Sequence, residues 1–395
     1  EMSSRGLGDV YKRQVRFGPV VRLFDEQTLD TVYSGAWTLN GLVKSGRAEH
    51  RLALGLDMYR LDRYYEVATE TRIPFERRFL DENAFFNILQ AQTDYLLATD
   101  GPLGVINREG QRIVSDELGA FANWHARWNT SWSTSLGVRY SDLSGYWQKA
   151  GYPQRMLDGA DDLLMQAGIT FQPVDQLSIF ANYSESLLAN VNVEAVLASP
   201  LTPQQATQRE LGAKYVGFNG RLNATVAAFD AYKQGLPILL RYSQHQNQVA
   251  YYNQQVTGIE ADVSFELNRD TQFLWSGAVM DPRIDGGVFD GNYAPMAADI
   301  TQSLFIRRRL HANWVARFGG RHASERSGDL ANQFVLESFR VADLHIEYEQ
   351  DTWDAVLSVK NITDKRYAIA VVPGSHEHFA DGREVQLQLR YHWEQ

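Results

Sequence analysis

The chain has 395 residues, and its 38 Lys plus Arg against 48 Asp plus Glu give a formal net charge of -10, the wrong sign for a protein that must displace counterions from nucleic-acid phosphates. It contains no cysteine, which removes disulfides and thiolate metal sites, and no apolar run approaches the roughly 18 to 20 residues that a membrane-spanning helix needs. Membrane strands escape that exclusion because they need only about 9 to 11 residues, half of them polar, and the 19 Tyr, 19 Phe and 9 Trp suffice for rings of aromatics at two membrane interfaces.

Glu1 to Gln14 (EMSSRGLGDVYKRQ) lacks the basic start, apolar core and small-residue cleavage site of a signal peptide. It resembles a translated sequencing-adapter scar, so residues 1–14 are set aside as non-native. The expectation is that the native protein begins upstream of Val15 and that the missing signal peptide reflects truncation, not cytoplasmic residence.

Val15 to Phe24 is a possible strand remnant, and from Thr28 the chain reads as hairpins. Thr31 to Val43 turns at Lys44-Ser45-Gly46-Arg47 into His50 to Arg60, where Leu52, Leu54, Leu56 and Met58 share one face. A long polar, aromatic-rich segment, Leu61 to Ser115, leads to the hairpin of Glu117 to Trp128 and Ser131 to Tyr140. Leu164 to Phe171 and Leu177 to Leu187 join through Gln172-Pro173-Val174-Asp175, and Arg209 to Val216 and Arg221 to Tyr232 join around Gly217-Phe218-Asn219-Gly220. Thr257 to Leu267 and Phe273 to Met280 join through Asn268-Arg269-Asp270; each junction carries residues suited to tight turns. Longer segments, Leu188 to Gln208, Gln234 to Gln255 and Pro282 to Ala298, separate the hairpins. Strands follow at Thr301 to Arg309, Asn313 to Arg321, Val341 to Glu349, Asp354 to Lys360 and Arg383 to Trp393.

In the final strand Val385, Leu387, Leu389, Tyr391 and Trp393 point one way, and Glu384, Gln386, Gln388, Arg390 and His392 the other. The whole reads as one all-β domain of roughly 15 or 16 strands. Short turns at one end and long connections at the other are the pattern of a transmembrane antiparallel β-barrel. A soluble sandwich or propeller also spaces its strands regularly, but it does not explain that asymmetry or the Trp, Tyr and Leu facing one way on almost every strand.

Specific phrases strengthen the membrane reading. HRLALGLDMYR, ELGAFANWHARW followed by TSLGVRYS, FANYSES, ELGAKY followed by RLNATVAAFD, TGIEADVSFEL, SVKNITDKRY and DGREVQLQLRY occur in that order. From about Thr28 to Trp393 this set resembles the successive strands of TonB-dependent outer-membrane receptors of the siderophore-receptor type. The resemblance implies a barrel of about 22 strands around a plug, of which residues 15–395 would supply the C-terminal portion without the plug. It implies outer-membrane lipid, the plug of the same protein, the TonB complex through the absent N-terminal region, and the barrel-assembly machinery as partners. The family usually ends on an aromatic residue, whereas Glu394 and Gln395 follow Trp393 here. The implied activity is TonB-driven import of an iron–siderophore complex, with no catalysis and no cofactor. The alternatives are a passive porin of about 16 to 18 strands and, more weakly, a soluble all-β binding protein.

No catalytic constellation is apparent. His376-Glu377-His378 lacks a third ligand in sequence and does not match helical metal-site spacing. His345 and His392 read as members of a polar network beside Glu347 and Arg390, and Asp161-Asp162 as a wet strand start. The sequons at Asn129, Asn182, Asn223 and Asn361 carry no meaning in a bacterial envelope, and glycines 55, 119, 137, 168, 212 and 258 recur about one per strand, relieving crowding. A receptor for an anionic ferric chelate would use loop aromatics to stack and guanidinium groups to pair with negative oxygens. The expected lining of the outer vestibule is Tyr64, Tyr65, Arg77, Arg78 and Trp147.

Overall fold

A computed structural model describes residues 20–21, 24–69, 73–74, 107–149, 151, 153–156, 159–188, 202–243, 246–372 and 376–392. Sixteen strands form one sheet, fifteen of them in a single path in chain order. They are β1 (Phe24–Ser45), β2 (Ala48–Thr69), β3 (Asn107–Arg127), β4 (Trp132–Lys149) and β5 (Ala160–Val174). The next five are β6 (Leu177–Leu188), β7 (Gln204–Gly217), β8 (Leu222–Ser243), β9 (Gln246–Asn268) and β10 (Thr271–Asp285). The path ends with β11 (Ile300–His311), β12 (Trp314–Ala323), β13 (Phe339–Glu349), β14 (Trp353–Lys360) and β15 (Glu384–Tyr391). Arg155–Met156 is the sixteenth member, pairing beside β4. Two compact units are distinguished: residues Glu1–Ser34, Tyr59–Asp116 and Ser144–Leu157 form one, and Gly35–Met58, Glu117–Leu143 and Asp158–Gln395 the other.

Register assigns the faces. On β13, Leu344 is paired with Phe318 and Val359, and Ile346 with Ala316 and Leu357, while Leu357 is paired in turn with Leu387. One residue along, His345 is paired with Arg317 and Ser358, and Arg317 contacts Glu347 at 3.0 Å. Period-two alternation therefore separates an apolar face from a charged one. Burying a large apolar side chain is worth about 1.5 to 3 kcal/mol, yet buried apolar residues are sparse among those described, while exposed ones recur along the strands. An apolar face of this extent needs a nonaqueous environment.

Beside the short turns the apolar face carries rings. Trp132 stacks on Phe171 at 4.4 Å, His50 on Trp124 at 5.9 Å, and Tyr348 lies 4.7 Å from Trp314 and 5.3 Å from Trp353. This is the position of an interfacial aromatic girdle. The turns themselves follow their residues: Phe218, Asn219 and Gly220 all take positive φ, at 53, 58 and 86°. Gly220→Ala is expected to cost about 1 to 2 kcal/mol, the price of a left-handed residue with a Cβ; a denaturant midpoint unchanged from wild type would contradict this.

The polar face packs phenylalanines onto glycines of the adjacent strand. A Cβ built on Gly55 falls 2.2 Å from Phe121, on Gly212 2.5 Å from Phe180, on Gly258 2.9 Å from Phe229 and on Gly319 2.3 Å from Phe305. Crowding relief is thus the role of the recurring glycines, with Gly119 lying under Arg139 in the same way. Arg139 is held by Asp57, Glu117 and Ser141. His345 contacts Ser358 at 2.9 Å, His392 contacts Asp354 at 2.5 Å, and Asp162 accepts from Gln205 at 2.8 Å, so these residues belong to polar networks.

Described parts of three segments expected to be loops are strand instead. β8 and β9 run through most of 234–255 because a register shift between Lys233 and Leu236 absorbs Gly235, whose φ is 73°, letting the apolar Leu236-Pro237-Ile238 run continue the ladder. β2 and β3 extend into 61–115, where Arg63 bonds Asp30 through two 2.8 Å contacts. Tyr146 to Lys149 lies in β4. The closing strand β15 matches expectation in its alternation, but pairs only with β14. Val385, Leu387, Leu389 and Tyr391 are 56 to 69% exposed, Trp393 lies outside the described residues, and among those residues β15 and β1 are the two unpaired edges of the path.

Candidate functional site

The longest described connections of β10 to β15 are all at the end opposite the short turns, and two are locked together by asparagine side chains on backbone groups and by one backbone pair. Asn332 donates to the Tyr293 carbonyl at 2.9 Å and accepts from the Tyr293 amide at 2.7 Å. Asn292 donates to the Leu330 carbonyl at 2.8 Å, and the Met296 amide to the Ser327 carbonyl at 2.8 Å. Asn332 holds φ at 54°, a conformation Asn tolerates better than most residues. Pro282, Ile284 and Leu336 are fully buried beneath these connections. Backbone groups satisfied in this way make a rigid support.

Three guanidinium groups at this end lie over aromatic rings, two of them beside that support and the third in the connection between β14 and β15. Arg283 is 3.7 Å from the Tyr293 ring centre and bonds Asp281 at 2.6 Å. Arg326 is 5.4 Å from Phe339, which stacks on Tyr367 at 4.2 Å, and donates to the Ala368 carbonyl at 2.7 Å. Arg366 is 4.3 Å from Phe379. Such pairs hold a guanidinium flat; Arg283 is further held by the Gly291 carbonyl, Arg326 is buried, and Arg366 is the exposed member of the three. Beside them a cavity of about 240 Å³ is bounded by Tyr293, Asp299, Glu325, Arg326 and Asn332. Burial, aided by nearby Asp281, raises the Asp299 carboxyl above its usual range, and burial lowers the Arg326 guanidinium. The cluster can stack a planar group and donate to anionic oxygens.

Of the residues expected from sequence, the described ones lie elsewhere. Tyr64 and Tyr65 are adjacent in β2 and so project from opposite faces; Tyr64 donates to Glu66 at 2.9 Å. Tyr64 borders a cavity of about 660 Å³ with Asp62 and Arg112, where Arg112 donates to Asp62 at 2.8 Å. Trp147 is 1% exposed and donates to Gln111 at 3.1 Å, an anchor within the fold. Arg77 and Arg78 lie outside the described residues, and the side chains of His376 and Glu377 are likewise not described. Among the described residues no group of three or more His, Cys, Asp or Glu could hold a metal ion. Reading the sequence missed Arg283, Tyr293, Arg326, Phe339 and Phe379. Arg366 and Tyr367 carried a local signal, since they end the Asn-Ile-Thr-Asp-Lys-Arg-Tyr junction.

Comparison with known proteins agrees with this architecture. The family model described as TonB dependent receptor-like, beta-barrel matches residues 6–362. A probable TonB-dependent siderophore receptor, PiuA of Acinetobacter baumannii, is 22% identical over 284 residues, covering 63% of this chain and 38% of the relative. The ferrioxamine receptor of Yersinia enterocolitica is 20% identical over 367 residues, covering 88% of this chain and 49% of the relative. Among solved structures, the ferric-catecholate import receptor Fiu of E. coli K12 superposes with a TM-score of 0.74 at 15% identity, over 93% of this chain and 55% of that one. The siderophore receptor PiuA of A. baumannii gives 0.73 at 16% identity, over 92% and 56%. The chain thus spans about two-fifths to half the length of these curated relatives. Its apolar face is the lipid-facing side of outer-membrane strands in a Gram-negative cell, and it comes from a receptor family, not an enzyme family. The matched model and the strand topology together establish that the chain belongs to the TonB-dependent receptor β-barrel family.

Proposed function

We propose that this chain is the barrel wall of a receptor that imports a ferric siderophore, with energy delivered by TonB to a plug domain of the same protein. The observation that carries the reading is the set of three arginine–aromatic pairs, Arg283 with Tyr293, Arg326 with Phe339, and Arg366 with Phe379, at the long-connection end of a lipid-facing sheet. The names of relatives, which are siderophore receptors, support it. Iron arrives as part of the cargo, so the protein needs no resident cofactor. Outer-membrane lipid and the barrel-assembly machinery complete the set of proposed partners. Family membership sets aside the porin and soluble readings.

Arg366 is exposed, so its edge is open to a ligand. Losing a charge-assisted hydrogen bond costs about 1.5 to 3 kcal/mol. Arg366→Ala is therefore expected to weaken binding of an anionic ferric chelate by roughly 10- to 100-fold. The test is uptake of iron-55 by cells producing the receptor, offered a ferric tris-catecholate and a ferric trihydroxamate in parallel, with and without TonB. Uptake that persists without TonB, or affinity for both chelates unchanged by Arg366→Ala, would count against the reading. Tyr64, Tyr65, Arg77 and Arg78 are proposed as a second contact group, which joint replacement in the same assay tests; Trp147, being buried, offers no surface to a ligand.

A further inference from the structure

The junction Asn361 to Tyr367 does more than turn the chain. Asn361 is 5% exposed and holds φ at 48°. Its amide donates to Asp343 Oδ1 at 2.8 Å, and the Ile362 amide donates to the Ala342 carbonyl at 2.8 Å, pinning the turn to β13. Its side chain accepts from the Lys365 amide and donates to the Lys365 carbonyl, both at 2.9 Å, which closes a five-residue ring. Asp364 accepts from the Arg383 amide at 2.7 Å, tying the ring to the start of β15. Only Asn meets all of these demands, because its short side chain supplies both a donor and an acceptor while tolerating the left-handed backbone.

Two residues beyond this ring, Tyr367 stacks on Phe339, and Phe339 lies under Arg326. The next carbonyl, that of Ala368, accepts from Arg326 Nη2. Arg326 is only 9% exposed, but it borders the cavity of about 240 Å³, forms no ion pair among the described residues, and has its Nε buried without a partner. Its guanidinium is therefore oriented by a ring and a carbonyl that the Asn361 turn sets in place. We propose that Asn361 is a positioning residue for the ligand site, acting through Tyr367 and Phe339 on Arg326. This rests on the ligand reading given above.

The test is a double-mutant cycle on the receptor in outer-membrane preparations, titrated with a ferric tris-catecholate and a ferric trihydroxamate. Asn361→Gly keeps the backbone conformation and removes all three side-chain bonds, the two to Lys365 and a longer one to the Asp381 carbonyl. It is expected to weaken binding of the preferred chelate about 10-fold, and adding Arg326→Ala is expected to cost little more than Arg326→Ala alone, as coupled residues do. Independent, multiplying losses would overturn the positioning role, as would unchanged affinity in Asn361→Gly when Arg326→Ala weakens binding. Unchanged affinity for both chelates in Arg326→Ala would overturn the ligand reading at this residue, and the positioning role with it. If Asn361→Gly does not assemble, judged by the heat-dependent electrophoretic shift of folded barrels, Tyr367→Leu replaces it. That variant removes the stack, leaves the turn, and is expected to show the same coupling; its absence would equally overturn the proposal.

Discussion

Arginine in place of Leu344 is expected to destabilise the folded chain in a bilayer by about 2 to 4 kcal/mol, the cost of a cation on the lipid face near the midplane of a membrane barrel. Leu344 is paired with Phe318 on one side and Val359 on the other, so the new guanidinium would meet only apolar neighbours. The same replacement at Ser358 puts the charge on the opposite face, where the register partners are His345 and Gln386. There water and polar groups remain available, and the expected loss is smaller by at least about 1 kcal/mol. Denaturant titration of receptor refolded into lipid vesicles reads both values. Equal costs at the two positions would show that the faces are not divided between lipid and water.

Valine at Gly319 is expected to be among the most damaging substitutions on the polar face. A Cβ there falls 2.3 Å from Phe305 Cδ1 and 2.4 Å from the Leu304 carbonyl oxygen. A ring can turn away, but a carbonyl in a sheet ladder cannot move without breaking its pairing. Overpacking of this kind costs about 1 to 3 kcal/mol, and the second branch of valine puts this case at the upper end. Gly55 provides the control, since its three nearest neighbours are all atoms of the Phe121 ring. Phe121→Ser is therefore expected to rescue part of the loss in Gly55→Ala, whereas Phe305→Ser is expected to leave Gly319→Val impaired. Equal rescue at both sites, measured by the fraction of heat-resistant folded protein, would refute the backbone clash.

These devices differ in how far the sequence announces them. The alternation of Glu384 to Tyr391 is visible in the letters because every second side chain meets the same solvent. The turns at Gly46 and at Phe218 to Gly220 are equally visible, because positive φ restricts the choice of residue. What stayed hidden depends on partners distant in the chain. Strands β2 and β3 outlast their apolar stretches because bonds such as Arg63 with Asp30 join distant segments, and a polar, aromatic-rich sequence read locally looks like loop. Trp147 looked like a ligand contact for the same reason, although Gln111 holds it inside the fold. The arginine–aromatic set draws on three separate connections, and no spacing rule relates Arg326, Phe339 and Tyr367. Asn361 was visible as the head of a junction, but its bond to Asp343 on another strand was not.

Because the chain has no cysteine, single cysteines can be introduced without background, and they test the two-faced sheet most directly. Cysteines at residues 344, 346, 357 and 387 share the apolar face, while those at 345, 347, 358 and 386 share the polar face. In receptor folded in lipid vesicles, the first set is expected to resist a charged, water-soluble maleimide and to be quenched by lipid-borne probes when labelled before folding. The second set is expected to react with the maleimide once a pore or open edge admits it, and to escape lipid quenching. Quenching and reactivity that alternate with period two along β13 and β14 are the predicted result. The same response at consecutive positions would contradict a lipid-facing strand wall, and the receptor reading built on it.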